Sequence, residues 1–211
     1  MKSLIKTLIL FSILVTLSSC NKEIKVRTGR IDIELIVFNN ASDEPENAIH
    51  IPISKMYFRD NNFIEVLQHK DDFPYVLIKE NKFSKFENLS NLNMLTADRF
   101  IDLKEKNIGV KFVNDTVRNF EERKVMTDTA FNGYNYKRYS ISDENTFAVF
   151  YVHQTDSVLP FSLSNQFDNE AKGILNRVDT YEIKEDRFTS LRMTLNDTIP
   201  KNFYEALKSL K

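Results

Sequence analysis

Apolar residues recur in this chain with a period of two. Arg30-Ile31-Asp32-Ile33-Glu34-Leu35 alternates strictly, then becomes apolar on both sides through Ile36-Val37-Phe38. Successive strand residues point to opposite faces, so this pattern predicts a half-buried strand with a more deeply buried end. Ile49, Ile51 and Ile53 repeat the alternation, with His50 and Pro52 on the other side. Proline lacks a backbone donor, so that strand is expected at an edge. Short strands are predicted over 62–67, 74–79 and 82–86, with room for a short helix somewhere in 80–93. Further on, 100–103 and 108–113 read as a hairpin, followed by a longer strand region over 117–129. Asn132-Gly133 is a two-residue hairpin signal, since both central positions of a type I′ turn need positive φ. Thr146 to His153 is apolar on both faces and is expected at the centre of a sheet. Residues 160–169 read as irregular, and 173–183 with 187–195 as a final strand pair.

Only the C-terminus changes period. Phe203, Ala206, Leu207 and Leu210 follow Pro200 at spacings of three and four, which predicts a short amphipathic helix. The expected fold is mainly β (α+β): one curved antiparallel sheet or half-barrel, with a C-terminal helix and room for one more short helix. No shift in composition marks a second domain between the acidic loop at 39–47 and that helix.

Residues 1–19 read as an address rather than as fold. Lys2 and Lys6 precede the apolar run Leu8 to Leu17, then Ser18-Ser19-Cys20, and Cys20 is the only cysteine among 211 residues. The run is short for a membrane span and fits a signal sequence. Leu17-Ser18-Ser19-Cys20 resembles the lipobox of bacterial lipoproteins. That resemblance implies removal of 1–19 and lipidation of Cys20, which would hold the protein on a membrane. Each buried CH₂ contributes about 0.8 kcal/mol, so two or three acyl chains anchor stably where one does not. Asn21 after the cysteine resembles lipoproteins that continue to the outer membrane of the cell envelope. Residues 20–30 then form a polar tether, and 31–211 the single β-rich domain.

Without 1–19 the chain carries 27 basic and 30 acidic side chains, a net charge of −3. A nucleic-acid partner calls for a basic excess, so none is expected, although Tyr134 to Tyr139 mixes aromatics with Lys137 and Arg138. With one cysteine there is neither a disulfide framework nor a cysteine-based zinc site. His50, His69 and His153 form no metal-binding spacing. No G-x-S-x-G, Walker loop or dinucleotide fingerprint is present. The acidic pairs Asp71-Asp72, Glu121-Glu122 and Asp143-Glu144 lack the spacing of a calcium loop and read as solvated turns. No cofactor and no catalytic residue is therefore assigned.

The composition does leave an excess of phenylalanine, 17 residues with no tryptophan. Such side chains fill a core, or line a groove for an apolar ligand. The residues expected to line such a groove are Tyr134, Tyr136, Phe150, Val152 and Phe188.

The stretch from Gly133 to Leu175 is similar to GLPGLI-type envelope proteins of Bacteroidota and their relatives with a Lol-type lipoprotein-carrier fold. Gly133-Tyr134-Asn135-Tyr136-Lys137-Arg138 resembles the family's Gly-Tyr-x-x-Lys-Lys strand. Phe147 to Val152 resembles its aromatic strand, and Pro160-Phe161 and Gly173-Ile174-Leu175 its Pro and Gly-Ile-Leu steps. Ser164, Asn165 and Gln166 stand where the family has Gly-Leu-Pro-Gly. The resemblance implies a sheet curved around a helix or an apolar groove, and no catalytic residues. Three functions stay open: a lipoprotein binding a lipid-like or other apolar ligand, one docking on an envelope membrane protein, and a metal-dependent or hydrolytic enzyme.

Overall fold

The computed structural model describes residues 24–40, 42–68, 72–112, 116–131 and 133–210. The signal sequence, Cys20 and His69 lie outside the described residues, as does Asn132.

The first half of the chain is a run of antiparallel hairpins. After β1 (Ile24–Lys25) come β2 (Thr28–Phe38), β3 (Ile49–Arg59), β4 (Asn62–Val66), β5 (Tyr75–Lys79), β6 (Lys82–Phe86) and β7 (Ile101–Asp102). The β5–β6 turn places both Glu80 and Asn81 at positive φ, 52° and 59°, the twist a two-residue hairpin needs. The second half repeats the plan with β8 (Lys124–Phe131), β9 (Tyr134–Ser142), β10 (Thr146–Gln154), β11 (Ser157–Val158), helix α1 (Asn165–Ala171), β12 (Gly173–Glu182), β13 (Arg187–Asn196) and helix α2 (Lys201–Ser209). β1 and β11 form a small parallel pair of their own.

The two meanders join along β2 and β13, in register from Arg30↔Asn196 to Phe38↔Phe188. The result is an open antiparallel sheet of 11 strands, ordered β7-β6-β5-β4-β3-β2-β13-β12-β10-β9-β8. Its seam pairs an early strand with a late one, so the halves close on each other only when most of the chain is in place.

Alternation divides the side chains between two faces. The inner face carries Ile31, Ile33, Met56, Phe58, Phe63, Val76 and Met193, and continues into Tyr139, Ile141, Phe150 and Val152. Two segments cover it. The crossing from β7 to β8 brings Leu103, Ile108, Val110, Phe112 and Phe120, and the stretch through α1 brings Phe161, Leu163, Phe167 and Ala171. The outer face of the first half is also covered. Tyr57, Ile64, Leu77 and Phe86 pack under Leu92 and under Phe203 and Leu207 of α2. The Tyr57 and Phe203 rings stack at 3.9 Å. The outer face of the second half has no helix over it among the described residues, since α1 packs on the inner face and α2 on the first half.

Residues 24–30, expected in a polar tether, belong to the fold: β1 pairs with β11, Val26 packs on the core and β2 begins at Thr28. Three further local expectations need correction. The hairpin expected over 100–113 does not form. Ile101 and Asp102 pair with β6, a 3-10 turn spans Leu103–Glu105, and the chain then folds around a buried ion pair. Lys106 Nζ lies 2.7 Å from Glu65 Oε2, and neither side chain reaches solvent. Lys106 also donates to the carbonyls of Ile108 (2.6 Å) and Val110. Glu65 accepts from the Ser54 hydroxyl at 2.8 Å and from the Val110 N–H at 2.7 Å. A charge on an apolar face thus captured a lysine that local alternation assigned to a solvent turn. Second, the strand expected over 117–129 begins only at Lys124, after a 3-10 turn at Phe120–Glu122. Third, the region read as irregular at 160–169 contains the start of α1.

The Ile49, Ile51 and Ile53 row is 49 %, 39 % and 38 % exposed rather than core. β4 pairs with β3 only from Lys55 onward, so the first half of β3 projects beyond its neighbour. Pro52 stands on this free edge, as its missing donor requires.

Candidate functional site

The site arises where the sheet splits. β10 pairs with β12 along its length, from Thr146↔Glu182 to Gln154↔Gly173. Between Tyr151↔Arg177 and Val152↔Leu175 the register slips, leaving Asn176 as an extra residue. β12 pairs with β13 only over Arg177–Glu182. Beyond the bulge, Gly173–Asn176 therefore follows β10 and leaves the end of β13 behind. Gly173 permits this course, because a Cβ there would lie 2.2 Å from the His153 carbonyl oxygen.

A cavity of about 550 Å³ opens at the split, within the size range of small-molecule sites. Phe131, Tyr134, Tyr136 and His153 make its aromatic wall. The Phe131 and Tyr136 rings are parallel, 4.1 Å apart, and the Tyr134 ring meets His153 edge-on at 4.7 Å. Leu159, Ile174, Met193 and Leu195 supply aliphatic surface. Burial lowers the pKa of His153 from 6.5, which favours the neutral imidazole.

Three of the charged lining residues, Glu34, Arg177 and Arg192, belong to a row across five strands. Arg138, Tyr151, Arg177, Arg192 and Glu34 are successive register partners on the outer face. Arg177 is held tightly. Its Nε and Nη2 donate to Asp179 Oδ1 and Oδ2 at 2.8 and 2.7 Å, and its guanidinium lies 4.8 Å over the Tyr151 ring. Burial opposes its charge, but the Asp179 carboxylate outweighs this and raises its pKa. Burial, and then Asp179, likewise raise the Tyr151 pKa, keeping the phenol neutral. Asp179 Oδ1 also accepts from the Ser190 hydroxyl at 2.7 Å, and that hydroxyl accepts from Arg192 Nε at 3.1 Å.

Arg192 differs from Arg177. Glu34 is its cross-strand neighbour, yet the Glu34 carboxylate lies 3.6 Å from His50 Nδ1. Among the described residues no carboxylate lies within ion-pair distance of Arg192. Asn176 donates weakly to the Tyr136 hydroxyl at 3.4 Å, and its buried Oδ1 has no partner among the described residues.

The expected groove residues divide between the two faces. Tyr134 and Tyr136 line the cavity. Phe188 shares their face but sits at the opposite end of β13, edge-on to Phe38 at 5.4 Å. Phe150 and Val152 point inward, where Phe150 stacks on Phe167 of α1 at 4.3 Å. Period two forces this: within β10, residues 150 and 152 face away from 151 and 153. The inner face that was expected to form a groove is filled by α1 and the β7–β8 crossing. Sequence reading missed His153, Asn176, Arg177 and Arg192 as lining residues. The Gly173 step was visible, but the bulge that brings these residues together depends on register.

His50 and His153 lie on different strands, and no group of three metal-ligating side chains occurs among the described residues. No described helix is long and apolar enough to cross a membrane.

No family model matches this sequence, and no curated protein matches it. Solved structures with a faint likeness include that of PNGF-II, with a TM-score of 0.32 and 9 % identity over 87 % of this chain and 30 % of that one. This chain thus spans less than a third of that protein. Another is a DUF1329 family protein from Desulfovibrio piger, with a TM-score of 0.27 and 10 % identity over 88 % of this chain and 92 % of that one. Likenesses at these TM-scores carry no argument about ligand or activity.

Proposed function

We propose that this protein is a lipid-anchored envelope protein, held on Cys20 at the outer membrane, that binds a small amphipathic ligand at the sheet split and catalyses no reaction. The cavity carries the binding part: an aromatic wall of Phe131, Tyr134 and Tyr136 together with aliphatic Ile174, Met193 and Leu195. Binding sites commonly combine such apolar walls with a few fixed polar groups. The lipobox-like Leu17 to Cys20 and the resemblance of Gly133–Leu175 to GLPGLI-type envelope proteins support the location. The polar share of the lining argues for an amphiphile rather than a wholly apolar ligand.

Native mass spectrometry of the chain from residue 20 onward, purified without detergent, tests this. The expected result is a bound mass that Tyr136→Ala loses. A bare protein that also fails to bind added amphiphiles would overturn it. Mass analysis of the protein from its native host tests the anchor, and an unmodified Cys20 thiol would remove that part.

A second reading, docking on an envelope protein, draws on one observation. Phe147, Tyr181, Phe188 and Phe38 form a register row across the uncovered outer face, and Phe147 is 39 % exposed. Apolar rows of this kind mark interaction surfaces.

A further inference from the structure

We infer that the ligand of this pocket carries an anionic head, a carboxylate or a phosphate, and that Arg192 grips it. The inference rests on the reading of the split as a ligand site. It goes further by fixing the polarity of what binds there.

The cavity's charged groups are Arg177, Arg192, Glu34 and Asp197. Arg177 has its charge paired by the two-point contact with Asp179 and is stacked on Tyr151. Glu34 turns to His50, and Asp197 lies exposed in the bend that follows β13. Arg192 spends only its Nε, on the neutral Ser190 hydroxyl, and has no carboxylate partner among the described residues. Its terminal nitrogens keep donors arranged to meet two oxygens of one planar or tetrahedral anion. The Asp179–Ser190 pair holds Nε in place, so little freedom is left to lose when a ligand arrives. The half-buried setting strengthens a charge contact relative to open water. Asn176 adds a second signal. Its buried Oδ1 faces no donor among the described residues, and buried polar atoms are normally partnered. A ligand hydroxyl, such as the P–OH of a singly ionised phosphate monoester, would satisfy it. The aromatic and aliphatic walls beside this polar end fit a short apolar tail.

The test uses the chain from residue 20 onward with Cys20→Ala, so that no attached lipid competes. Every described strand and core contact lies within residues 24–210, so this chain keeps them all. Decanoate, decyl phosphate, decyltrimethylammonium and inorganic phosphate are titrated by calorimetry, below the micelle threshold. The expected result is that decanoate or decyl phosphate binds at least roughly tenfold more tightly than the cation with the same tail. Arg192→Gln should then cost the anion roughly tenfold or more and change the cation by less than about threefold. Arg192→Lys should recover part of the loss. Arg187→Gln, at the far end of the same strand and paired there with Glu182 and Glu185, should change nothing.

Anion and cation binding equally, or Arg192→Gln leaving anion affinity intact, would overturn the head assignment while the ligand site stands. Inorganic phosphate binding as tightly as decyl phosphate, and indifferent to Tyr136→Ala, would show a free-anion site and overturn the amphiphile. If no amphiphile binds at all, the site reading itself fails and this inference falls with it.

Discussion

Lys106 reaches Glu65 across the inner face of the sheet, 2.7 Å from nitrogen to oxygen, with both side chains closed to water. The lysine belongs to the segment that crosses from β7 to β8, and the glutamate to β4, so the pair pins the crossing onto the sheet. Burial lowers the Lys106 pKa and the Glu65 carboxylate opposes that shift. Breaking such a pair from one side leaves a buried charge alone and costs about 3–5 kcal/mol. Glu65→Gln and Lys106→Met should each destabilise by that order in denaturant titration. Glu65→Leu combined with Lys106→Met should recover only part of the loss, because replacing both charges removes their desolvation cost but leaves the Val110 N–H and the Ile108 and Val110 carbonyls without these partners. A double variant no more stable than either single one would contradict this account.

Two glycines separate backbone strain from collision. Gly133 sits at φ +79° with nothing within 4 Å of the point a Cβ would occupy, so Gly133→Ala should cost only about 1 kcal/mol, from the left-handed backbone. Gly109 has φ +60°, and a Cβ there would meet Glu65 Oε1 at 2.2 Å. Gly109→Ala should therefore cost clearly more, since the loop must leave the carboxylate it covers. Melting of the two variants side by side gives the comparison. Equal losses would show that the loop yields freely.

His153 should make stability fall with acid. Burial holds its folded pKa below 6.5. As pH drops through that value, the unfolded chain takes up the proton before the folded one, so acidification favours unfolding. The contribution is present above about pH 6.5 and is lost as pH falls through the lower, folded value. Urea midpoints at pH 7.5 and pH 5 should differ more for the natural chain than for His153→Gln. An equal drop in both would place the titration elsewhere.

The fold class was legible because alternation is a local property. Ile31, Ile33 and Leu35 announce their face without reference to any partner, and Phe203 with Leu207 announce a helix in the same way. What local pattern does not carry is pairing. The seam of β2 with β13 joins residues far apart in the chain, as Asn196 donating to Asp32 shows at a separation of 164. Glu65 read as one polar position in a short strand, because its partner lies on a segment with no periodicity. The candidate site was half legible. Tyr134 and Tyr136 stood out by composition, but Arg177, Arg192 and His153 join them only through the bulge at Asn176. That bulge shifts the register of β12 against β10, and no residue type near it announces the shift.

The division of the expected groove between two faces gives the sharpest functional test. Phe150 is buried against Phe167 on the inner face, whereas Tyr134 is exposed at the cavity mouth. Removing a buried phenylalanine side chain costs about 3–5 kcal/mol, and removing an exposed ring costs far less. Phe150→Ala should therefore lower the unfolding midpoint sharply while its folded fraction binds decanoate with unchanged affinity. Tyr134→Ala should leave the midpoint nearly unchanged and weaken decanoate binding, because it removes part of the aromatic wall. Each variant thus moves one observable and spares the other. If Phe150→Ala weakened binding at constant folded fraction, the ligand would lie on the inner face, and the split between β12 and β13 would not be the site.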